Sequence, residues 1–164
     1  MTRRLILMRH AKSSWDHPGL DDHARPLNGR GAASAEALGV WLRKRGYMPD
    51  EVLCSSAVRT QATAEALGLS APVTVLEALY HASPQAMMQV LRQAKGRAVL
   101  MLGHNPGIAE FAHHLAAAPP PHPRFDDYPT GAAMVADLPI ADWAQAEGRS
   151  ATVLDFVIPR EIMG

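Results

Sequence analysis

Cysteine is almost missing from this sequence: Cys54 is the single thiol among 164 residues. One thiol forms no internal disulfide, so a disulfide framework is excluded and a reducing compartment suits the chain. Net charge is missing as well, because 16 Lys and Arg balance 16 Asp and Glu. No overall field then draws the chain to nucleic acid or to an anionic membrane, and any positive site must be local. Long hydrophobic runs are absent. The opening run Leu5 to Met8 falls far short of the roughly 20 apolar residues that span a bilayer. Residues 1–8 also lack the apolar stretch and small-residue cleavage site of a signal peptide, so a cytoplasmic protein is expected. Internal repeats and a linker between two cores are lacking too. The length therefore implies one domain over 1–164 with a sizeable core.

What is present alternates short apolar runs with longer helical stretches. Arg4 to Met8 reads as a strand buried on both faces, since its apolar residues are continuous rather than alternating. A polar segment with Gly and Pro follows, from Lys12 to Leu27. The spacing then predicts a helix from Gly29 to Arg45, with Ala33, Ala37, Val40 and Trp41 on one face and Gly46 as its left-handed cap. Val52 to Cys54 is a short strand, and within it Cys54 reads as a small buried hydrophobe. Ser55 and Ser56 offer amino-terminal caps for a helix to Leu67, ended by Gly68. Val73 to Leu76 is a third strand, and Ser83-Pro84 opens a helix to Ala94. "AVLMLGHN", residues 98–105, repeats the opening pattern, with a helix from Ile108 to Ala117 behind it. The stretch "AAAPPPHPRFDDYPTG", 116–131, is too rich in proline for helix or central strand and is expected as a surface loop. Strands Ala133 to Leu138 and Thr152 to Ile158 flank a short helix-like piece at Trp143.

Strands alternating with helices imply an α/β fold, a three-layer αβα sandwich on a mostly parallel sheet. In such sheets, ligands bind beyond the carboxyl ends of the strands. Arg9-His10, Ser55 to Arg59, Glu77 and Gly103-His104 all sit just past such an end. Two arginines and two histidines meeting there suit a tetrahedral dianion. A guanidinium offers forked donors matched to phosphate oxygens, and its charge does not titrate away. A neutral imidazole can attack phosphorus, and a second, protonated one can stabilise equatorial charge. Helix amino termini at Ser56 and Asn105 would add backbone donors.

"LILMRHAKSSW", "RPLNGRG", "VLCSSAVRTQATAE" and "LMLGHNPG" together resemble the histidine phosphatase (phosphoglycerate mutase-like) superfamily, and within it the small SixA-type phosphohistidine phosphatases. The resemblance runs from about residue 4 to 110, with "YPTGAAMV" continuing it. It implies a phosphoglycerate mutase-like fold and a phosphatase with a phosphohistidine intermediate. His10 would be the nucleophile, Arg9 and Arg59 would clamp the phosphoryl oxygens, and His104 would complete the pocket. Arg25 matches a position close to the phosphate, and Ser13 and Thr130 would be further hydroxyl donors. Glu77 falls where many relatives carry the acid that protonates the leaving group, although the glycine and tryptophan that follow that acid are missing here. Arginine charge would stand where Mg²⁺ stands in other phosphoryl-transfer sites, so no metal or other cofactor is expected.

Only about one loop and one helix fit between Leu76 and Ala98, where larger relatives insert a roof. An unroofed pocket suits a phosphorylated side chain on another protein, such as a histidine-containing phosphotransfer or phosphocarrier protein, and also a small phosphate ester. Imidazole leaves readily once protonated, since its pKa is near neutrality, which favours phosphohistidine. Two rivals stay open: a broad small-molecule phosphomonoesterase, and a non-catalytic phosphate-binding or interaction module. Duller roles exist for several residues: Arg25 could pair with Asp21 or Asp22, Thr130-Gly131 could be a turn, and Glu77 a solvated strand end. His113, His114 and His122 do not have metal-ligand spacing.

Overall fold

The computed structural model describes residues 1–163. Six strands form one sheet: β1 (Arg3–Arg9), β2 (Glu51–Ser55), β3 (Val73–Leu76), β4 (Ala98–Gly103), β5 (Ala133–Leu138) and β6 (Thr152–Val157). Their order across the sheet is β3-β2-β4-β1-β5-β6. The first four in that order run parallel, which puts all their carboxyl ends at one edge. β5 lies antiparallel on β1, and β6 antiparallel on β5. β1 thus occupies the interior of the sheet, between β4 and β5, which explains why its apolar residues are unbroken.

Side chains of a strand alternate between faces, and two separate cores result. Leu5, Leu7, Val99 and Met101 enter one core with α3 (Pro84–Leu91) and α4 (Gly107–Leu115). Ile6, Met8, Leu100 and Leu102 enter the other with α1 (Gly29–Arg45) and α2 (Val58–Leu67). A last short helix, α5 (Pro159–Ile162), packs beside α1. The three-layer α/β expectation holds, and Cys54 is buried in the second core with its thiol pushed up to about 12 by burial.

Three local expectations are corrected. The buried face of α1 is Ser34, Ala35, Leu38 and Leu42, while Ala33 and Val40 face solvent. So many small residues in one helix let two faces compete, and Gly39 decides between them. A Cβ there would lie 2.1 Å from the Leu67 carbonyl, so α1 meets the end of α2 on that side. Ser55 and Ser56 do not cap α2; its cap position is Ala57, with no side-chain bond. The proline-rich stretch forms no regular element, yet Phe125 and Tyr128 within it are buried in the first core. The phenol of Tyr128 donates to the Leu7 carbonyl and accepts from Met134 N–H, tying the loop to β1 and β5.

Candidate active site

β1 and β4 end side by side, with Arg9 in register with Gly103. The residues that follow, His10 and His104, therefore stand together, their rings 5.2 Å apart between centroids. The His10 amide donates to Gly103 O at 3.1 Å, fixing the chain as it leaves the sheet. Thr63 on α2 makes the third tie: its hydroxyl accepts from Ala11 N–H at 3.0 Å and donates to Arg59 O at 2.8 Å. One side chain thereby sets the His10 loop against the helix turn that carries Arg59.

The tautomer of His10 follows from its neighbour. Nδ1 lies 2.7 Å from the Ala11 carbonyl, which only accepts, so Nδ1 carries the proton and Nε2 holds the lone pair. Arg59 Nε lies 3.4 Å from that Nε2. Burial, reinforced by the charges of Arg9, Arg59 and Arg25, depresses the His10 pKa to about 4. The imidazole is accordingly neutral near pH 7.

His104 is neutral for related reasons. Burial first, then His10 and Arg59, depress its pKa to about 3. Its Nδ1 faces Arg59 Nη2 at 3.3 Å, and Arg59 only donates. Nε2 of His104 must then carry the proton and donate to Ser55 Oγ at 2.7 Å. The protonated imidazole expected to stabilise equatorial charge is therefore not the resting form of His104. Ser55, expected as a helix cap, instead orients His104.

Three arginines surround the pair. Arg59 is buried on α2, and Arg25 is buried just past the 3₁₀ turn Asp22–Ala24. Arg9 Nη1 donates to Tyr128 O at 3.2 Å, but its Nε has no partner. Among the described residues it is the one buried side-chain nitrogen or oxygen left unpaired. A buried donor without an acceptor is costly. Burial, then repulsion from Arg59, lowers the Arg9 pKa.

A cavity of about 350 Å³ joins these groups; Arg9, His10, Ser13, Arg25, Arg59, His104 and Thr130 all line it. Ser13 Oγ accepts from Arg25 at 2.8 Å, so it positions the guanidinium. Thr130 lies on the turn whose next residue, Gly131 (φ 78°), donates its N–H to His10 O at 2.9 Å. The loop residues thus hold the backbone of the site in place.

Glu77 is the exception. It is exposed at the start of a 3₁₀ turn, Glu77–Leu79, and is not part of the cavity wall. The turn instead brings Tyr80 and His81 inward, and His81 lines the cavity with a positive φ of 51°.

The carboxylate that the sequence reading missed is Asp22. Its Oδ2 accepts from Tyr80 OH at 2.6 Å, Arg59 Nη2 at 3.0 Å and His81 Nε2 at 3.2 Å. Its Oδ1 lies 3.3 Å from Arg25 Nη2, so the ion pair considered for Arg25 coexists with cavity lining. Burial opposes the charge on Asp22, yet bonds from Tyr80 and Arg59 outweigh it and hold the carboxyl well below the usual range. The signal was the dipeptide Asp21-Asp22 close before Arg25, whose fold-back over the strand tips periodicity does not reveal.

Of the histidines considered for a metal, His113 pairs with Asp126 at 2.8 Å and His122 with Glu161 at 3.1 Å. Among the described residues, no three His, Cys, Asp or Glu side chains gather as a metal site.

Comparison with known proteins fits this geometry. The family model for the histidine phosphatase superfamily (branch 1) matches residues 5–83. An uncharacterised Mycobacterium tuberculosis protein is 34% identical over 161 residues, covering 93% of this chain and 100% of that relative. The chain belongs to the histidine phosphatase superfamily. Its fold is of the SixA type. A protein from Nakamurella multipartitia, assigned as the phosphohistidine phosphatase SixA, superposes with a TM-score of 0.83 at 31% identity, covering 97% of each chain. The counterpart from Agrobacterium tumefaciens gives a TM-score of 0.76 at 26% identity, covering 96% of this chain and 98% of that one. Family and neighbours together support phosphatase activity of the histidine phosphatase type. No described helix is long and apolar enough to cross a membrane.

Proposed function

We propose that the protein removes phosphoryl groups from phosphohistidine on another protein, through a transient phosphoryl group on His10 Nε2. The observation that carries this reading is the orientation of His10. Nδ1–H is committed to Ala11 O, so the lone pair at Nε2 faces a cavity walled by Arg9, Arg25 and Arg59. Membership of the family supports the phosphatase activity, and the SixA assignments of the neighbours support phosphohistidine as its substrate class.

In the first step the Nε2 lone pair bonds to phosphorus as the bond to the leaving imidazole breaks. The guanidiniums hold the three equatorial oxygens. Charge in the transition state also favours a proton on His104 Nδ1, which then donates to the same oxygens. The departing ring nitrogen takes a proton. His81 at the cavity wall would supply it from Nδ1 of its imidazolium form, its Nε2–H staying with Asp22, and an imidazole leaving group demands little help. In the second step water bonds to phosphorus and returns a proton to His81 Nδ1, the bond to Nε2 breaks, and inorganic phosphate departs. Arginine charge serves where a metal ion otherwise would, so turnover is expected to persist in EDTA.

The test is trapping the intermediate. Brief exposure to a histidine-phosphorylated phosphocarrier protein, followed by alkaline quench and mapping, should place label on His10. Label elsewhere, or full turnover by His10→Ala, overturns the mechanism. Faster turnover of sugar phosphates than of the phosphoprotein overturns the substrate class.

A further inference from the structure

A second and larger cavity, about 610 Å³, opens beside the first, and Lys12 and Thr130 line both. Its other polar lining includes Arg30 from the first turn of α1, Arg124 from the proline-rich loop and Arg160 from α5. Ile158, Pro159 and Met163 supply apolar surface. The protein as a whole is neutral, yet among the described residues no acidic side chain lines this groove.

The charges there are unspent. Arg124 pairs with Asp127 at 2.8 Å, while Lys12, Arg30 and Arg160 form no ion pair with any described residue. Arg30 also stands where helices favour the opposite sign, since the first turn of α1 has no acid to offset it. That placement costs stability and gains nothing within the chain.

We propose that this groove docks a carboxylate-rich stretch of the phosphoprotein substrate, next to its phosphorylated side chain. The proposal rests on the phosphohistidine-protein reading above and adds what surrounds the phosphorylated residue. Shared walls bring such a stretch alongside while the phosphoryl group enters the His10 cavity. The character of the two cations sets separates them. Arg59 and Arg25 are buried and held by Asp22, as fits a small dianion, whereas Lys12, Arg30 and Arg160 are exposed and unheld. Exposed flexible charges on an open groove with apolar walls suit a polypeptide surface better than a second phosphate of a small molecule.

The test uses synthetic phosphohistidine peptides with Glu-rich or Ser-rich flanks, and p-nitrophenyl phosphate as a substrate without flanks. Wild-type protein should turn over the Glu-flanked peptide with a kcat/KM on the order of tenfold higher, through KM, with the advantage shrinking in salt. Arg30→Glu/Arg160→Glu should erase that preference while kcat/KM on p-nitrophenyl phosphate stays unchanged. Equal turnover of the two peptides by the wild type, or a preference that survives in the double variant, overturns the docking. So does a double variant whose loss is confined to a small bisphosphate such as fructose 1,6-bisphosphate. No turnover of either peptide by the wild type, with p-nitrophenyl phosphate still hydrolysed, would instead fell the phosphohistidine reading and the docking with it.

Discussion

Arg59 grips Asp22 twice, through Nη1 to the backbone carbonyl at 2.6 Å and through Nη2 to the carboxylate at 3.0 Å. The loop that carries Asp22 is thereby latched over α2, and Arg59 is left with Nε aimed at His10. Catalytic position and loop closure depend on the same guanidinium.

Arg59→Ala should reduce kcat by about a hundredfold or more, the usual loss when a donor to developing transition-state charge is removed. Asp22→Asn keeps the shape and removes the charge that orients Arg59 and Arg25. It should cost roughly tenfold in kcat/KM, about one charge-assisted hydrogen bond. Steady-state kinetics of both variants checks this, and Asp22→Asn with wild-type kinetics would show that the latch is dispensable.

Glu77→Gln should leave kcat and KM within about twofold of the wild type, because the side chain is exposed and outside the cavity. His81→Ala should slow turnover of alkyl phosphates more than that of phosphohistidine, since only the former leave as strong bases. A large loss in Glu77→Gln would return the acid role to it.

The histidine shifts predict a pH dependence. His10 and His104 titrate near 4 and 3 in the folded chain, against 6.5 when exposed. Between those values the unfolded chain binds more protons than the folded one, so stability falls as pH drops from about 6.5 towards 3. Melting temperature should decline across that window, and less steeply in His104→Asn. An NMR titration of the His10 ring should find it neutral at pH 6; a midpoint at 6.5 would contradict the burial argument.

Two glycines in the first turn of α1, Gly29 and Gly31, should respond in opposite ways. A Cβ on Gly31 would lie 2.0 Å from the Lys12 carbonyl, which also accepts from Asn28 N–H at 3.1 Å and has little room to yield. Gly31→Ala should destabilise by about 1–3 kcal/mol through overpacking, outweighing the roughly 1 kcal/mol that alanine contributes to a helix. Gly29 has open space around it, so Gly29→Ala should be neutral or stabilising. Chemical denaturation of both variants distinguishes them.

The sequence made the parallel strands and the His10–His104 pair legible because both depend on local pattern: apolar runs that stop at a polar tip. It did not reveal the interior face of α1, where Ala33 and Ala37 fit either side and only contact with Leu67 chooses. The Arg25–Asp22 pair and the place of Ser55 at the sheet edge were legible, but the bonds of Asp22 to Arg59 and of Ser55 to His104 were not, since those partners are distant in the chain. Glu77 attracted attention for its place after a strand; the tight turn there leads instead to Tyr80, which bonds Asp22, and to His81, which lines the cavity.

Tyr128 gives the proline-rich loop a further consequence. Its phenol hangs from Leu7, and its carbonyl receives both Arg9 Nη1 and Asn105 Nδ2. Should this loop come away by local opening, Arg9 would lose that tether along with it. Amide exchange near Tyr128 would then report how often the protein is momentarily unable to hold its substrate.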